Sequence, residues 1–509
     1  MKTLLGIDYG TGGCKVTALG ADGSFVGEAS VEYKTHHDHP GWSEQEPQDW
    51  WNALCAALRK LKDKGVDLSS VAAAALDGST HNAVLMDAAY CPIRRTIMWT
   101  DQRAVAECAT LRETMGEKIF QTTYQMPAPT WTLPQLMWLK AHEPDVLSRT
   151  KHVLFVKDYV RYLLTGHAAT DRIEAQGTLF FNMAKMDWDE ELVLQAGLRP
   201  DALPSFIAPT DVAGQVTAAA AAATGLPEGM PVVCGSSDSA VEDYGAGAIE
   251  PGDLILKLAT AGNVNSMTAA AHPHPKTLTY SHIVPRMWYS VSATNAAALC
   301  QRWMRDTFFD VKKLKGEELK GGNGDSEKPI NLYAMMDTEA SASPIGANGM
   351  FFHPYLQGER CPYWDPSLRA SFTGVSIAST RGDFCRALLE GVAFSLRDCY
   401  GTLQEMDLPV TRIFLIGGGA RSNLWSEIVC NVFNRPVAVP MPGDASFGAC
   451  LLAGTGIGLF ADVKDAVRKC LHVDRTLVPD SSAAAHYDKL YAVYRQIHDA
   501  LAPVYQSAR

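Results

Sequence analysis

The 509-residue sequence exceeds what one hydrophobic core usually serves, so we expect at least two domains. Hydrophobic residues make up 47% of the chain and charged residues 20%, which is ordinary globular composition. The formal net charge of −11 argues against a nucleic-acid partner, because binding to phosphate backbones requires a basic surface.

The sequence indicates neither secretion nor membrane insertion. Met1 to Gly6 contains no long apolar run, and no run of about 18 uncharged apolar residues occurs along the chain. The twelve cysteines are scattered without a Cys-x-x-Cys pair, which favours a reducing compartment. We therefore expect a cytoplasmic protein.

The amino-terminal segment predicts a hairpin, a further strand and a helix. The predicted strands are Leu4–Ile7, Cys14–Leu19 and Phe25–Val31. Asp8 is expected to end the first strand, and a glycine-rich turn leads from it to Gly13. A helix is predicted to begin near Pro47, with its apolar face formed by Leu54, Leu58 and Leu61.

The opening pattern recurs in the middle of the chain. Pro231–Gly235 predicts a buried strand, and Ser236–Ser239 predicts the start of a helix. After Gly252 the predicted strand, tight turn and return strand are Leu254–Leu258, Ala259–Gly262 and Asn263–Asn265. This recurring pattern predicts a duplicated fold of two halves, residues 1–248 and 249–509, with a cleft between them.

The last third of the chain predicts a loop, two helices and a strand. The segment Lys315–Asp325 is charged and rich in glycine, which is typical of a surface loop. Arg381–Met406 predicts a helix with an apolar stripe formed by Phe384, Leu388 and Val392. Ile413–Ile416 predicts a strand, and Ser422 is expected to cap a helix whose apolar side is formed by Leu424, Ile428 and Val432.

Three glycine-rich turns beside short apolar strands are candidate nucleotide-binding loops. They are Gly10–Gly13, Thr260–Gly262 and Gly417–Gly419. Each could be an ordinary hairpin or helix-entry turn, or a backbone that approaches phosphate or a nucleotide base closely. Their occurrence together favours a nucleotide cleft. The chain contains no Gly-x-x-x-x-Gly-Lys-Ser/Thr, which excludes a P-loop enzyme.

Two aspartates next to these loops are candidate functional carboxylates. Asp8 is either a turn-forming residue or a ligand for Mg²⁺, which prefers hard oxygen donors. Asp238 either stabilises a helix N-terminus or acts as a base, and the helix start keeps it ionised in both cases.

Several motifs together resemble the FGGY family of carbohydrate kinases, and within it most closely the xylulokinases. They run in family order from residue 3 to about residue 455. The motifs are Gly6–Lys15, Gly41–Pro47, Trp99–Arg103, Lys157–Tyr159, Pro354–Arg360, Leu389–Val392 and Gly417–Asn423.

The resemblance implies an α/β fold of two actin-like, ribonuclease-H-like domains with ATP bound in the cleft between them. By position, Asp238 corresponds to the catalytic base, and Asp8 together with Asp238 to the carboxylates near Mg²⁺. The positions that correspond to the ATP site are Gly10, Thr11, Gly12, Lys15, Thr260, Gly262, Gly418, Gly419 and Asn423. The positions that correspond to the sugar site are Thr80, His81, Trp99, Asp238 and Ser239. Without the resemblance, His81 would be interpreted as a partly buried structural histidine.

The chain departs from the usual xylulokinase pattern near the expected sugar. The family turn Gly-Gln-Met-His-Gly is replaced by Gly78-Ser79-Thr80-His81-Asn82. Ser239 follows Asp238 where the family usually has asparagine, and Gln135 occupies a position near Trp138 that is usually lysine. These departures leave the kinase prediction intact and make the identity of the sugar less certain.

The resemblance implies ATP-dependent phosphorylation of a small ketose, D-xylulose to D-xylulose 5-phosphate, with an Asp general base. Ribulose, L-xylulose and a tetritol are alternative substrates, and a homodimer is left open as the oligomeric state. A non-catalytic actin-like ATP-binding regulator is a further alternative. A regulator often carries an added DNA-binding domain, which we do not expect because the first core strand starts at about residue 4.

Overall fold

The structure, a computed structural model, describes residues 2–309 and 331–508 and divides into two compact units. The predicted division at residue 248 lies close to the end of the first segment, but the prediction did not anticipate two segments that return to the first unit. The predicted loop at Lys315–Asp325 lies outside the described residues. The first unit contains Met1–Glu250, Ala269–Tyr289 and Met441–His472, and the second contains Pro251–Thr268, Ser290–Pro440 and Val473–Arg509.

The strands of the described residues are short and lie in both units. They are β1 (Thr3–Gly10), β2 (Gly13–Gly20), β3 (Phe25–Glu32), β4 (Glu44–Gln45), β5 (Val71–Gly78), β6 (Ala83–Met86), β7 (Thr96–Ile97), β8 (His152–Phe155), β9 (Phe181–Asn182), β10 (Asp187–Trp188), β11 (Val212–Gln215), β12 (Pro231–Ser237), β13 (Asp253–Leu258), β14 (Gly262–Thr268), β15 (Leu278–Ser281), β16 (Trp288–Thr294), β17 (Phe351–His353), β18 (Ser371–Thr373), β19 (Arg412–Ile416), β20 (Val437–Pro440) and β21 (Val473–Leu477).

The α-helices of the same residues alternate with these strands. They are α1 (Pro47–Asp63), α2 (Val105–Thr123), α3 (Thr132–His142), α4 (Pro144–Arg149), α5 (Val156–Thr165), α6 (Arg172–Gln176), α7 (Glu190–Gln195), α8 (Ala218–Thr224), α9 (Asp238–Gly245), α10 (Ala298–Phe308), α11 (Leu332–Ser341), α12 (Arg381–Glu405), α13 (Asn423–Phe433), α14 (Ala445–Gly456), α15 (Val463–Cys470) and α16 (Ser481–Ser507).

The first unit is built on a six-stranded mixed sheet in the order β11-β12-β5-β1-β2-β3. The predicted hairpin of β1 and β2 is present, with Gly10 paired to Gly13 at its tip. The prediction that Asp8 ends the first strand is wrong, because β1 continues to Gly10 and Asp8 pairs with Lys15 inside the ladder. Asp8 therefore projects from a strand, where its direction is set by the alternation of the sheet.

The two faces of β1 are buried differently. Leu5, Ile7 and Tyr9 belong to the same apolar core as α1, whose predicted face is buried. On the opposite face, helix α14 approaches so closely that a Cβ atom on Gly6 would lie 1.8 Å from the carbonyl oxygen of Ser446. A glycine at this position lets strand and helix backbones come into direct contact.

The second unit repeats the strand-turn-strand opening. β13 and β14 form the predicted hairpin, and β13 lies parallel to β19 in the strand order β16-β14-β13-β19-β20-β21. The predicted long helix is α12, and the hydroxyl of Ser422 caps α13 by accepting a hydrogen bond from the amide of Trp425. The strands and helices predicted from turn residues and apolar stripes in this unit are thus confirmed.

No helix among residues 2–309 and 331–508 is long and apolar enough to cross a membrane. All twelve cysteines are free thiols, and only Cys91 is exposed.

We predict that Gly6→Ala destabilises the protein by about 3 kcal/mol or more, because backbone atoms cannot move aside as a side chain can. Gly12→Ala is the matched control, since a Cβ atom at Gly12 has no neighbour within 4 Å. Urea unfolding of the three proteins tests this. Equal stability of Gly6→Ala and Gly12→Ala would show that the backbone of α14 is not in close contact with β1 at Gly6.

Candidate active site

Three neighbouring strands of the first unit bring acidic residues to one edge of the sheet. In the parallel ladder of β1 and β5, Asp8 is paired with Asp77, and in that of β5 and β12, Asp77 is paired with Ser236. Asp238 follows two residues later as the first residue of α9. Directly paired residues point to the same face, so the carboxyl groups of Asp8 and Asp77 lie side by side.

Asp77 is a candidate site residue that the sequence analysis missed. Its side chain is fully buried, and neither of its carboxyl oxygens receives a hydrogen bond from an N–H group. Burial and the adjacent Asp8 raise the pKa of Asp77 well above its usual value. One feature of the sequence could have indicated Asp77. It is a single acidic residue directly after the apolar run Val71–Leu76, at a position where a buried strand usually has an apolar residue.

Asp8 lies in the same electrostatic environment. Its pKa is raised to about 7, chiefly by burial and also by the nearby charges of Asp238, Asp444 and Glu242. A hydrogen bond from Asp77 opposes this effect. The two carboxyl groups therefore share a region in which negative charge is unfavourable until a cation is bound.

Asp238 lies at the N-terminus of α9, where the helix dipole stabilises a carboxylate. Its Oδ1 atom accepts a hydrogen bond of 2.7 Å from the amide of Ser239. The hydroxyl of Thr80 lies 3.5 Å from the same oxygen, and the hydroxyl of Ser239 interacts with Tyr289. The structure thus brings the predicted base together with one predicted sugar residue from a different strand.

His81 lies on the turn after β5 in a left-handed backbone conformation, with φ of 57°. Its amide donates a 2.6 Å hydrogen bond to Oε1 of Glu174, and its Nε2 atom lies 3.2 Å from the carbonyl oxygen of Thr130. Burial lowers the pKa of His81 to about 4, so the ring is neutral near pH 7. Its Nδ1 atom is buried without a hydrogen-bond partner.

Trp99 links the sugar turn to the tip of the first hairpin. Its indole Nε1–H donates a 3.0 Å hydrogen bond to Oγ1 of Thr11, and its amide donates to Oδ1 of Asn82 at 2.5 Å. The carbonyl of Thr11 in turn accepts a 2.7 Å hydrogen bond from Gln45. The predicted phosphate-loop residue and the predicted sugar residue therefore lie in contact.

Lys15 lies on β2 opposite Asp8, but its ammonium group is engaged elsewhere. It forms ion pairs of 2.7 Å with Asp444 and 2.9 Å with Glu28. Asp444 is also the N-cap of α14. The predicted contact of Lys15 with phosphate would require the ammonium group to exchange these partners or to share them.

The predicted ATP residues of the second unit form their own group. The carbonyl of Thr260 accepts hydrogen bonds from the amides of Ala297 and Leu299 at 2.9 and 3.2 Å. Gly262 is enclosed, because a Cβ atom there would lie 2.8 Å from side-chain atoms of Leu396 and Thr294. The loop is therefore held rigidly at the start of α10.

The third glycine turn lies at the same sheet edge as the Thr260 loop, since β13 and β19 are paired as far as Lys257 and Ile416. Gly418 is exposed, and a Cβ atom on it would have no neighbour within 4 Å. Gly419 is buried against Leu258 and Trp425. Asn423 begins α13 directly after this turn. Of the two glycines, Gly418 is the one whose backbone is open to a ligand.

The first unit can supply oxygen ligands for Mg²⁺. The buried oxygens of Asp77 lack donors, and the charge of Asp238 acts on Asp8. In the part of the chain that the structure describes, no group of three or more His, Cys, Asp or Glu side chains is arranged to hold a metal ion. This fits the usual mode of Mg²⁺, which takes one or two carboxylates and completes its shell with water and substrate phosphates.

We predict that the stability of the metal-free Asp77→Asn variant relative to the wild type increases as pH rises from 5 to 7. Asp8 and Asp77 lower the stability of the wild type over this range, whereas buried histidines such as His81 act equally in both proteins. A carboxyl group with a raised pKa in the folded state keeps its proton there while the unfolded chain has lost it, so rising pH favours unfolding. Each such proton contributes about 1.4 kcal/mol per pH unit. Scanning calorimetry with EDTA at pH 5, 6 and 7 measures the effect. Parallel pH profiles for both proteins would contradict it.

Comparison with known proteins identifies the family. Models of the N-terminal and C-terminal domains of the FGGY family of carbohydrate kinases match residues 3–245 and 260–457. The xylulose kinase of Staphylococcus epidermidis is 30% identical over 98% of this chain and 96% of its own. The gluconokinase of Bacillus subtilis is 26% identical over 96% of this chain and 94% of its own. The crystal structure of xylulose kinase from Rhodospirillum rubrum, 30% identical, superposes with a TM-score of 0.86 over 99% of this chain and 100% of that one. The chain therefore belongs to the FGGY family of carbohydrate kinases and has the family's two actin-like α/β domains.

Proposed function

We propose that this kinase transfers the γ-phosphoryl group of ATP to a small ketose, with D-xylulose as its substrate and D-xylulose 5-phosphate as its product. The observation that carries the proposal is the contact between Asp238 and the turn that bears Thr80 and His81. A carboxylate beside neutral hydrogen-bonding groups suits a hydroxyl-rich ligand whose alcohol must lose a proton. The xylulose kinases among the relatives support the choice of sugar.

In the proposed reaction, Asp238 orients the terminal hydroxyl of the sugar and accepts its proton as the oxygen attacks the γ-phosphorus. The new O–P bond forms as the bond between the γ-phosphorus and the β–γ bridging oxygen breaks, and ADP leaves. Mg²⁺, held by Asp8 and Asp238, would neutralise charge on the phosphates. Backbone groups of Gly10, Thr11 and Gly12 are proposed to face the phosphates, together with Lys15.

The second unit is proposed to hold the rest of the nucleotide. Thr260 and Gly262 would form the second phosphate loop, and Gly418, Gly419 and Asn423 the adenosine site. The open backbone of Gly418 supports this assignment. The free cysteines fit a reducing compartment, and we place the activity in the cytoplasm.

A neutral ketose fits the first unit better than a sugar acid such as gluconate. Among the groups near Asp238 are the carboxyl group of Asp8 and the hydroxyl group of Thr80, and on the same turn lies His81, whose pKa is lowered by burial to about 4. A second carboxylate brought in by gluconate would add like charge to this region, which is unfavourable. Because one of the relatives is a gluconokinase, gluconate and D-xylulose should be compared directly as substrates.

The substrate is tested by measuring ADP release with D-xylulose, L-xylulose, D-ribulose, a tetritol and gluconate. We expect the highest kcat/KM with D-xylulose. A higher kcat/KM for another neutral sugar would identify that sugar as the substrate and leave the proposed mechanism unchanged. A preference for gluconate would contradict the electrostatic argument.

We predict that Asp238→Asn lowers kcat by about 10²–10⁴-fold, because the amide keeps the size of the side chain and cannot accept the proton. The unfolding temperature should stay close to that of the wild type. Asp22→Asn serves as a matched control, since it makes the same chemical change in an exposed turn, where Asp22 accepts hydrogen bonds from Ser24. Turnover near the wild-type rate in Asp238→Asn would exclude Asp238 as the base.

We predict that Gly418→Val weakens ATP binding while stability stays unchanged, because the added side chain projects into open space at the proposed adenosine site. Gly419→Val is the contrasting variant. It should lower stability as well, because its Cβ atom would lie 2.8 Å from the side chain of Leu258. Calorimetric titration with ATP and thermal unfolding distinguish the two effects. Unchanged ATP affinity in Gly418→Val would place adenosine elsewhere.

A further inference from the structure

The turn that carries His81 is held in a strained conformation by neighbouring side chains. A non-glycine residue with φ of 57° costs free energy, so the surrounding structure must stabilise it. The carbonyl of His81 accepts a 2.6 Å hydrogen bond from the hydroxyl of Thr132. Its amide donates the 2.6 Å hydrogen bond to Glu174. The amide and the carbonyl of His81 are therefore both hydrogen-bonded to buried side chains.

Glu174 reaches this turn from α6, whose position is set by Asp171. The Oδ1 atom of Asp171 caps α6 by accepting hydrogen bonds from the amides of Ile173 and Glu174. The same oxygen accepts a 2.7 Å hydrogen bond from the hydroxyl of Ser236. Ser236 lies in β12, two residues before Asp238. Glu174 thus connects the sugar turn to β12, the strand that leads into the proposed base.

A set of fully buried ion pairs supports this connection. Lys157 contacts Asp171 at 2.8 Å and Asp158 at 2.6 Å. Arg161 contacts Asp158 at 2.9 Å and donates to the carbonyl of Cys234 at the same distance. Two cations thus compensate two carboxylates, and among the residues that the structure describes Glu174 forms no ion pair of its own.

We propose that Glu174 is a positioning residue that sets sugar binding by holding the main chain of His81. This inference rests on the proposed function, because it assumes that the His81 turn contacts the sugar. Glu174 itself does not touch the sugar. Its side chain is only 1% exposed, and its Oε1 atom faces the amide of His81.

Two substitutions of Glu174 distinguish the effect of side-chain length from the effect of the ionisable group. Glu174→Asp keeps the carboxyl group but shortens it by one methylene, which draws the acceptor away from the amide of His81. Glu174→Gln keeps an acceptor oxygen at the same reach and removes only the ionisable group. Burial raises the pKa of Glu174 well above its usual value, which favours the uncharged form that a glutamine side chain mimics.

We expect Glu174→Asp to raise the KM for the best sugar about tenfold, because a buried amide loses its acceptor. The KM for ATP should stay within twofold of the wild type, and Glu174→Gln should bind sugar nearly as well as the wild type. If Glu174 served only the buried charge network, the order would be reversed, with Gln the more harmful change. In a His81→Ala background, Glu174→Asp should have little further effect, since the two residues act through one turn.

The outcomes distinguish this inference from the proposed function. If the wild type phosphorylates no sugar in the panel, the proposed function fails. If the wild type is active and Glu174→Asp leaves the sugar KM unchanged, the positioning role fails. The positioning role also fails if Glu174→Gln is as harmful as Glu174→Asp. Loss of the folded state in Glu174→Asp would mean that the carboxyl group supports the fold rather than the sugar, and would overturn it as well.

Discussion

The candidate site of the first unit depends on the close approach of β12 to β5. The register of these two strands shifts between Val233 and Ser236, and Gly235 lies in this irregular stretch with φ of 70°. A Cβ atom on Gly235 would lie 1.6 Å from the carbonyl oxygen of Leu76, so only glycine allows the approach. The shift places Ser236 opposite Asp77 and delivers Asp238 at the end of the strand.

Helix N-termini help several acidic groups to share this edge of the sheet. Asp238 and Asp444 each lie at a helix N-terminus, where the helix dipole favours negative charge. Asp8 and Asp77 lie on strands without such support, and their pKa values are raised. The edge therefore combines two carboxyl groups at helix N-termini with two whose pKa is raised, an arrangement that favours the binding of a cation.

Local features of the sequence predicted the opening strands and first helix of the first unit, its strand before Asp238, and the turns of the second unit. The glycine-rich turns, the cap at Ser422 and the apolar face of α1 involve residues close together in the chain, and all appear in the structure. Asp77 and Glu174 were missed because their significance depends on distant partners. The return of Met441–His472 to the first unit was missed for the same reason: the ion pair of Lys15 and Asp444 joins residues 429 positions apart.

The departures from the usual xylulokinase pattern change the space around Asp238 more than its charge. Thr80 and Ser239 are shorter than the methionine and asparagine that are usual there, and both keep a hydroxyl group close to polar partners. Gln135 lacks the charge of the usual lysine and donates hydrogen bonds to the carbonyls of Met98 and Thr130. Thr130 is also the residue whose carbonyl contacts His81. The three departures therefore lie around Asp238 and the His81 turn, where the proposed sugar would bind, so they would alter which sugar fits rather than how the proposed base activates its hydroxyl group.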